Sequence, residues 1–208
     1  KAVTDLALRR TVTLSGIIKG DRLERWFERM TNGKHIQQSD MPIVIPAVDL
    51  GSGNTIVYSN QPPRGELSEH IRWESDITIA QAIRASIAVP TVFRPQINNG
   101  LYLVDGGVTD NLPVGLLVAA GEPNVLAVDI SEQYQSPEHY NIVDIATHSL
   151  SIMSRRLKSC TADGEHLLMH LTLPESAGLL TFGQMDECVQ IGYDATIEML
   201  PTIKAMLQ

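Results

Sequence analysis

Ser86–Val114 reads SIAVPTVFRPQINNGLYLVDGGVTDNLPV, and this stretch decides the fold. A helical pattern leads into it from Thr78, with Thr78 and Gln81 at the reciprocal positions of a capping box. Ile79, Ala82, Ile83, Ser86 and Ile87 share one face, and Pro90 stops the helix because proline lacks the N–H and clashes with the preceding turn. Leu101–Val104 then has the pattern of a short strand ending in Asp105-Gly106-Gly107. Asn111-Leu112-Pro113 punctuates the chain before a short apolar helix that closes at Gly121. Helix, strand, turn and helix in quick succession argue for an α/β fold.

Upstream, Pro42–Leu50 (PIVIPAVDL) and Thr55–Tyr58 (TIVY) read as strands joined by the turn Gly51-Ser52-Gly53, which predicts a hairpin. Asn60–Ser75, with Pro62-Pro63 and Gly65, reads as an exposed loop. Asp21 is expected to cap a helix with Glu24 as its reciprocal partner, and Asn32-Gly33 to end it. Leu23, Trp26, Phe27 and Met30 mark one face of that helix; lipid contact is open to it, but packing into the core is the expected use. Downstream, Val125–Ile130 reads as a buried strand and Asn141–Lys158 as a long helix. Ile142, Ile145, Ala146, Leu150, Met153 and Leu157 form its inward stripe. His166–Leu173 is a further strand and Met185–Leu200 a closing helix. The expected architecture is a three-layer α/β/α sandwich, with the continuously apolar strands 42–50 and 125–130 at its centre.

The 208 residues suit one domain, and 43 % hydrophobic residues are enough for a sizeable core. Sixteen Lys plus Arg against twenty-four Asp plus Glu give a net charge of −8, which argues against nucleic acid as a partner. A lipid surface, met through apolar patches, is compatible with that charge. Cys160 and Cys188 could form at most one bridge, so no disulfide framework holds the fold. The longest apolar run, Val114 to Ala120, is too short to span a membrane. Low cysteine usage and the absence of a basic, apolar signal region within these residues lead to a cytoplasmic location as the expectation.

In open α/β sheets, ligands sit beyond the carboxyl ends of strands. Three carboxylates are expected there: Asp49, Asp105 and Asp129. Only Asp105 is followed by two glycines, which can take positive φ and let the backbone approach a ligand. That places Asp105 well for a general base; the plain alternative is a turn-capping aspartate.

The stretch closely resembles the patatin-like phospholipases. Their pattern of Ala-Ser-x-x-x-Pro, Phe-x-Pro, Asp-Gly-Gly and Asp-Asn-Leu-Pro is matched by Ser86, Pro90, Phe93, Pro95, Asp105, Asp110 and Pro113. GIIKGDRL from Gly16 is similar to the family's Gly-Leu-x-x-Gly-x-x-Leu lead-in to a helix. LLTFGQMDECVQIGYDA is similar to its closing helix, with Gly192-Tyr193 in place and Thr181 where many relatives have Asp. The resemblance implies a serine acyl hydrolase with a Ser-Asp dyad, no catalytic His, no cofactor and no metal. Its substrate would be a phospholipid or other fatty-acyl ester, met through peripheral membrane contact. The base maps onto Asp105, with Gly106 and Gly107 shaping the cleft floor.

The family's nucleophile lies in a Gly-x-Ser-x-Gly elbow between a strand and a helix, and this string occurs nowhere in the chain. Ser15, in LSGI, and Ser52, in GSGN, do not fit it and read as structural. The expectation is therefore a single patatin-like domain over residues 1–208 that lacks its N-terminal strand, elbow and Gly-rich oxyanion loop. It would hold the base while the nucleophilic serine lies outside the chain. The alternative is a non-catalytic patatin-fold module that binds lipid or protein. Such an incomplete domain is expected to expose apolar surface and to self-associate.

His166 and His170 bracket a strand, where a spacing of four merely shares a face, and no other ligand is aimed with them. His148 lies in the long helix, and the glycines around Ser52 precede a strand and so form no phosphate loop.

Overall fold

A computed structural model describes residues 16–65, 67–130, 141–161, 166–174 and 183–207. At its centre is a five-stranded sheet in the order β3-β2-β1-β5-β4. Here β1 is Val44–Asp49, β2 Thr55–Ser59, β3 Ile71–Glu74, β4 Gln96–Asn98 and β5 Leu101–Asp105. β1 and β2 form the expected antiparallel hairpin, Val44 opposite Ser59 and Val48 opposite Thr55. On its other side β1 pairs antiparallel with β5, which sets Ala47 opposite Asp105. The β4–β5 hairpin closes on Asn99 and Gly100, whose φ angles of 47° and 81° suit a tight primed turn. β3 runs parallel to β2, so the sheet is mixed.

Strand alternation sends Ala47, Ile56, Tyr58 and Leu103 to one face, where they pack with Ile36, Ile77 and, from α2 (Ile79–Ser86), Ala82 and Ala85. α2 carries the predicted capping box, with the Gln81 N–H donating to the Thr78 hydroxyl at 3.2 Å. Val48, Val57 and Val104 are buried on the opposite face. There α3 (Val114–Ala120) packs against β1 and ends on Gly121 at φ 102°. Helices on both faces make the three-layer α/β/α arrangement. Each fully buried Val, Leu or Ile contributes about 1.5–3 kcal/mol, so β1, covered on both sides, anchors the sheet.

A second, smaller core joins Val114 of α3 to Val125 and Ala127, flanked by Leu112 and Leu117. It supports a parallel pair, β6 (Leu126–Asp129) and β7 (Leu167–His170). The described helices are completed by α1 (Asp21–Met30), which packs on α2, α4 (Ile142–Thr161) and α5 (Met185–Met206).

Several expectations are corrected. α1 is capped by Gly20 in a left-handed conformation at φ 83°, without a side-chain bond, and not by Asp21. A Cβ at position 20 would stand 2.1 Å from Nε of Arg84, so this buried guanidinium dictates glycine and shifts the helix start. Asp21 and Glu24 instead sit in the first turn, where negative charge suits the helix dipole. The apolar face of α1 is not buried: Trp26 is 46 % and Met30 66 % exposed, while Leu23 and Phe27 are half-buried.

The predicted loop 60–75 contains β3, and the stretch before Leu101 contains β4. On α4, Ile142, Ile145 and Met153 of the expected inward stripe are exposed. Strand 125–130 lies in the two-stranded sheet and not at the centre, with Val128 and Ile130 exposed. Neither Gly106 nor Gly107 has a positive φ.

Candidate active site

Asp105 is the last residue of β5 and opens a 3-10 turn, Gly106–Val108, which its side chain caps. Its N–H donates to the carbonyl of Ala88 just beyond α2 at 3.1 Å, so strand end and helix end are tied together. Carboxylate oxygen Oδ1 accepts the Gly107 N–H at 2.7 Å. The twin glycines are required by space and not by backbone handedness. A Cβ on Gly106 would stand 2.7 Å from the Pro46 carbonyl oxygen, and one on Gly107 would stand 2.3 Å from Asn111 Oδ1 and 3.1 Å from Asp105 Oδ1.

Burial pushes the Asp105 carboxyl above its ordinary value, and the Gly107 N–H offsets this only in part. No cation pairs with it among the described residues. A half-buried carboxylate with one donor and a raised proton affinity has the character of a general base.

The turn is braced from two sides that the sequence reading missed. The Thr109 hydroxyl lies 2.9 Å from that of Thr55 on β2, and Ser154 of α4 donates to the Gly107 carbonyl at 3.1 Å. Thr109 sits inside the motif stretch and could have been suspected; Ser154 has no local signal, since only the docking of α4 brings it there. Asp110 is also half-buried, with its carboxyl pushed up by burial, and accepts the Leu112 N–H at 3.0 Å.

The other two strand-end carboxylates are committed elsewhere. Asp49 is buried and accepts from the Ser52 N–H at 2.9 Å, the Ser52 hydroxyl at 2.8 Å and the Tyr102 N–H at 3.0 Å. Burial raises its proton affinity, but these donors outweigh it and leave the carboxyl below its usual range. Ser52 is thereby occupied in a turn, as the sequence implies. Asp129 is buried and paired with Lys158, and with His170 Nδ1 at 2.8 Å. That contact answers for His170. Among the described residues no group of His, Cys, Asp and Glu has the geometry to hold a metal ion. His148 is half-buried in α4, and Gly192 and Tyr193 lie in α5. Ser15, Thr181 and Phe182 lie outside the described residues, as does the side chain of Cys160.

Asp105, with no cation beside it among the described residues, thus stands at a strand end of a mixed α/β domain, held by a glycine-dependent turn. The patatin-like phospholipase family profile matches residues 3–118, more than half of the chain. The chain belongs to that family, whose general chemistry is the hydrolysis of lipid esters.

An uncharacterised NTE family protein of Mycobacterium tuberculosis is 24 % identical over 133 residues, covering 64 % of this chain and 20 % of its own. The lysophospholipase NTE1 of Mycosarcoma maydis is 29 % identical over 151 residues, covering 57 % and 8 %. A putative patatin-like phospholipase domain-containing protein of Caenorhabditis elegans is 23 % identical over 220 residues, covering 93 % and 19 %. The chain thus spans a fifth or less of the length of these three relatives.

Proposed function

We propose that this chain is the greater part of a lipid acyl hydrolase domain in which Asp105 is the general base of a Ser-Asp dyad. The nucleophilic serine and the oxyanion donors are supplied from outside these 208 residues. With Oδ1 held by Gly107, Oδ2 has no hydrogen-bond partner among the described residues and is the atom to receive a proton.

As the serine oxygen attacks the acyl carbonyl of a phospholipid or related ester, its proton passes to Asp105. The ester oxygen then leaves with that proton, and the acyl-serine forms. Water enters, Asp105 takes one of its protons, and attack on the acyl-serine releases the fatty acid and returns the serine hydroxyl. Backbone N–H groups around the developing oxyanion supply the remaining stabilisation. Gly106 and Gly107 keep the floor beside the base free of side chains.

The observation that carries this reading is the half-buried, unpaired carboxylate of Asp105 with its raised proton affinity. In the full gene product, Asp105→Asn should lower turnover of a short nitrophenyl ester by about 10²–10⁴-fold. The same change should stabilise the domain at neutral pH. The raised folded pKa makes ionised Asp105 a burden on the folded state, fully felt above that pKa and gone below the unfolded value near 3.8. Near-normal turnover in the Asn variant would remove Asp105 from the chemistry. The absence of a Gly-x-Ser-x-Gly string favours one rival, a non-catalytic lipid- or protein-binding module. A wild-type gene product inert toward every ester offered would support it.

A further inference from the structure

α1 leaves its outer surface to solvent. At about 100° per residue, Arg25, Arg29 and Arg22 share one sector of the helix and Trp26 and Met30 the next. Leu23 and Phe27 turn toward the protein, and Asp21, Glu24 and Glu28 gather on the remaining side. None of the three guanidinium groups is in an ion pair among the described residues. With Glu28 they line a shallow hollow. The Trp26 ring is held edge-on against Phe27, with centroids 5.0 Å apart. Ile17 and Ile18, just before the helix, are exposed as well.

On a helix whose three acids and three arginines balance, the arginines are segregated into one exposed sector beside the indole and thioether, a basic strip in a chain of net charge −8. Basic side chains above and aromatic or apolar ones below are the composition of a helix lying in a lipid interface. There the indole sits at headgroup depth and the guanidiniums meet phosphates.

We propose that α1 docks the protein onto an anionic phospholipid surface through Arg22, Arg25 and Arg29, with Trp26 and Met30 inserted beside them. The proposed hydrolase function enters only in the choice of lipid as the partner.

The test is flotation of the full gene product with vesicles of phosphatidylcholine containing phosphatidylglycerol, against phosphatidylcholine alone. Binding should be stronger to the anionic vesicles and fall with added salt. Each Arg→Gln change should weaken it about fivefold, and the triple change roughly a hundredfold. The triple Arg→Lys variant should retain most of the binding, which separates charge from folding. Trp26→Ala should weaken binding at every salt concentration. Equal binding by wild type and the triple Gln variant, or no wild-type binding at low salt, would overturn the proposal. So would a dimer that Trp26→Ala or Met30→Ala dissolves, since that face would then belong to a second copy. The readout is binding and not turnover. An ester-inert protein that still floats would defeat the hydrolase reading alone, and an active one that does not float would defeat only the docking.

Discussion

Replacing Gly106 by alanine is the sharpest probe of the turn that holds Asp105. The added methyl would stand 2.7 Å from the Pro46 oxygen and 3.1 Å from its carbonyl carbon, whereas ordinary contact begins at 3.4 Å. Pro46 lies within β1, opposite Val57, and cannot withdraw, so the turn must move out by about 0.7 Å. Over-packing of this kind costs about 1–3 kcal/mol. If Asp105 is the base proposed above, a shift of that size one residue away should lower turnover by about a hundredfold.

Gly107→Ala should cost less stability, because the end of the Asn111 side chain can swing aside, yet lose comparable turnover through its contact with Asp105. Gly115→Ala, on α3 with open space around it, should instead stabilise by about 0.5–1 kcal/mol. Urea unfolding and nitrophenyl ester hydrolysis, run in parallel on the full gene product, give both quantities for each variant. If Gly106→Ala keeps wild-type stability and turnover, space is not the reason for the glycine, and the steric account of the turn is wrong.

Gly20→Ala should cost about 4 kcal/mol or more. It combines a left-handed φ with ejection of the Arg84 guanidinium from its bonds to the Lys19 and Arg94 carbonyls. Gly33→Ala, at φ 64° with nothing nearby, should cost only about 1 kcal/mol, and equal losses in urea would dismiss the clamp. Asp49 has a depressed folded pKa, so its contribution is present above the unfolded value near 3.8 and is lost as pH falls through the folded one. Asp49→Asn should therefore lower stability by about 1–3 kcal/mol at neutral pH and flatten the acid limb of the stability profile. An unchanged acid limb would mean that its three donors contribute nothing.

Elements with strong local punctuation were legible in the sequence: the Thr78 capping box, the β1–β2 hairpin, and the apolar helix between Pro113 and Gly121. Asp105 stood out among the acids because its glycines carry a local signature, although the reason for Gly106 lies in Pro46, sixty residues away, and that for Gly107 in the folded-back side chain of Asn111. β3 was hidden because IRWE lacks an apolar run and follows Pro62-Pro63; only its partner strand makes it a strand. The Gly20 cap was misread because it answers to a guanidinium from another helix. Periodicity on α1 and α4 correctly marked amphipathic faces, but it carries no information on whether anything covers them.

The parallel edge of the sheet bears on how the chain assembles. After β2 the backbone must travel back across the sheet before Ile71 can run beside Thr55. On the way the Arg64 N–H engages the carbonyl of Ala119, far along the chain, at 2.6 Å. The hairpins can close from tight bends within microseconds. This border strand has no such shortcut: its pairing with β2 waits until the connecting segment has come back along the sheet, so it orders after the hairpins.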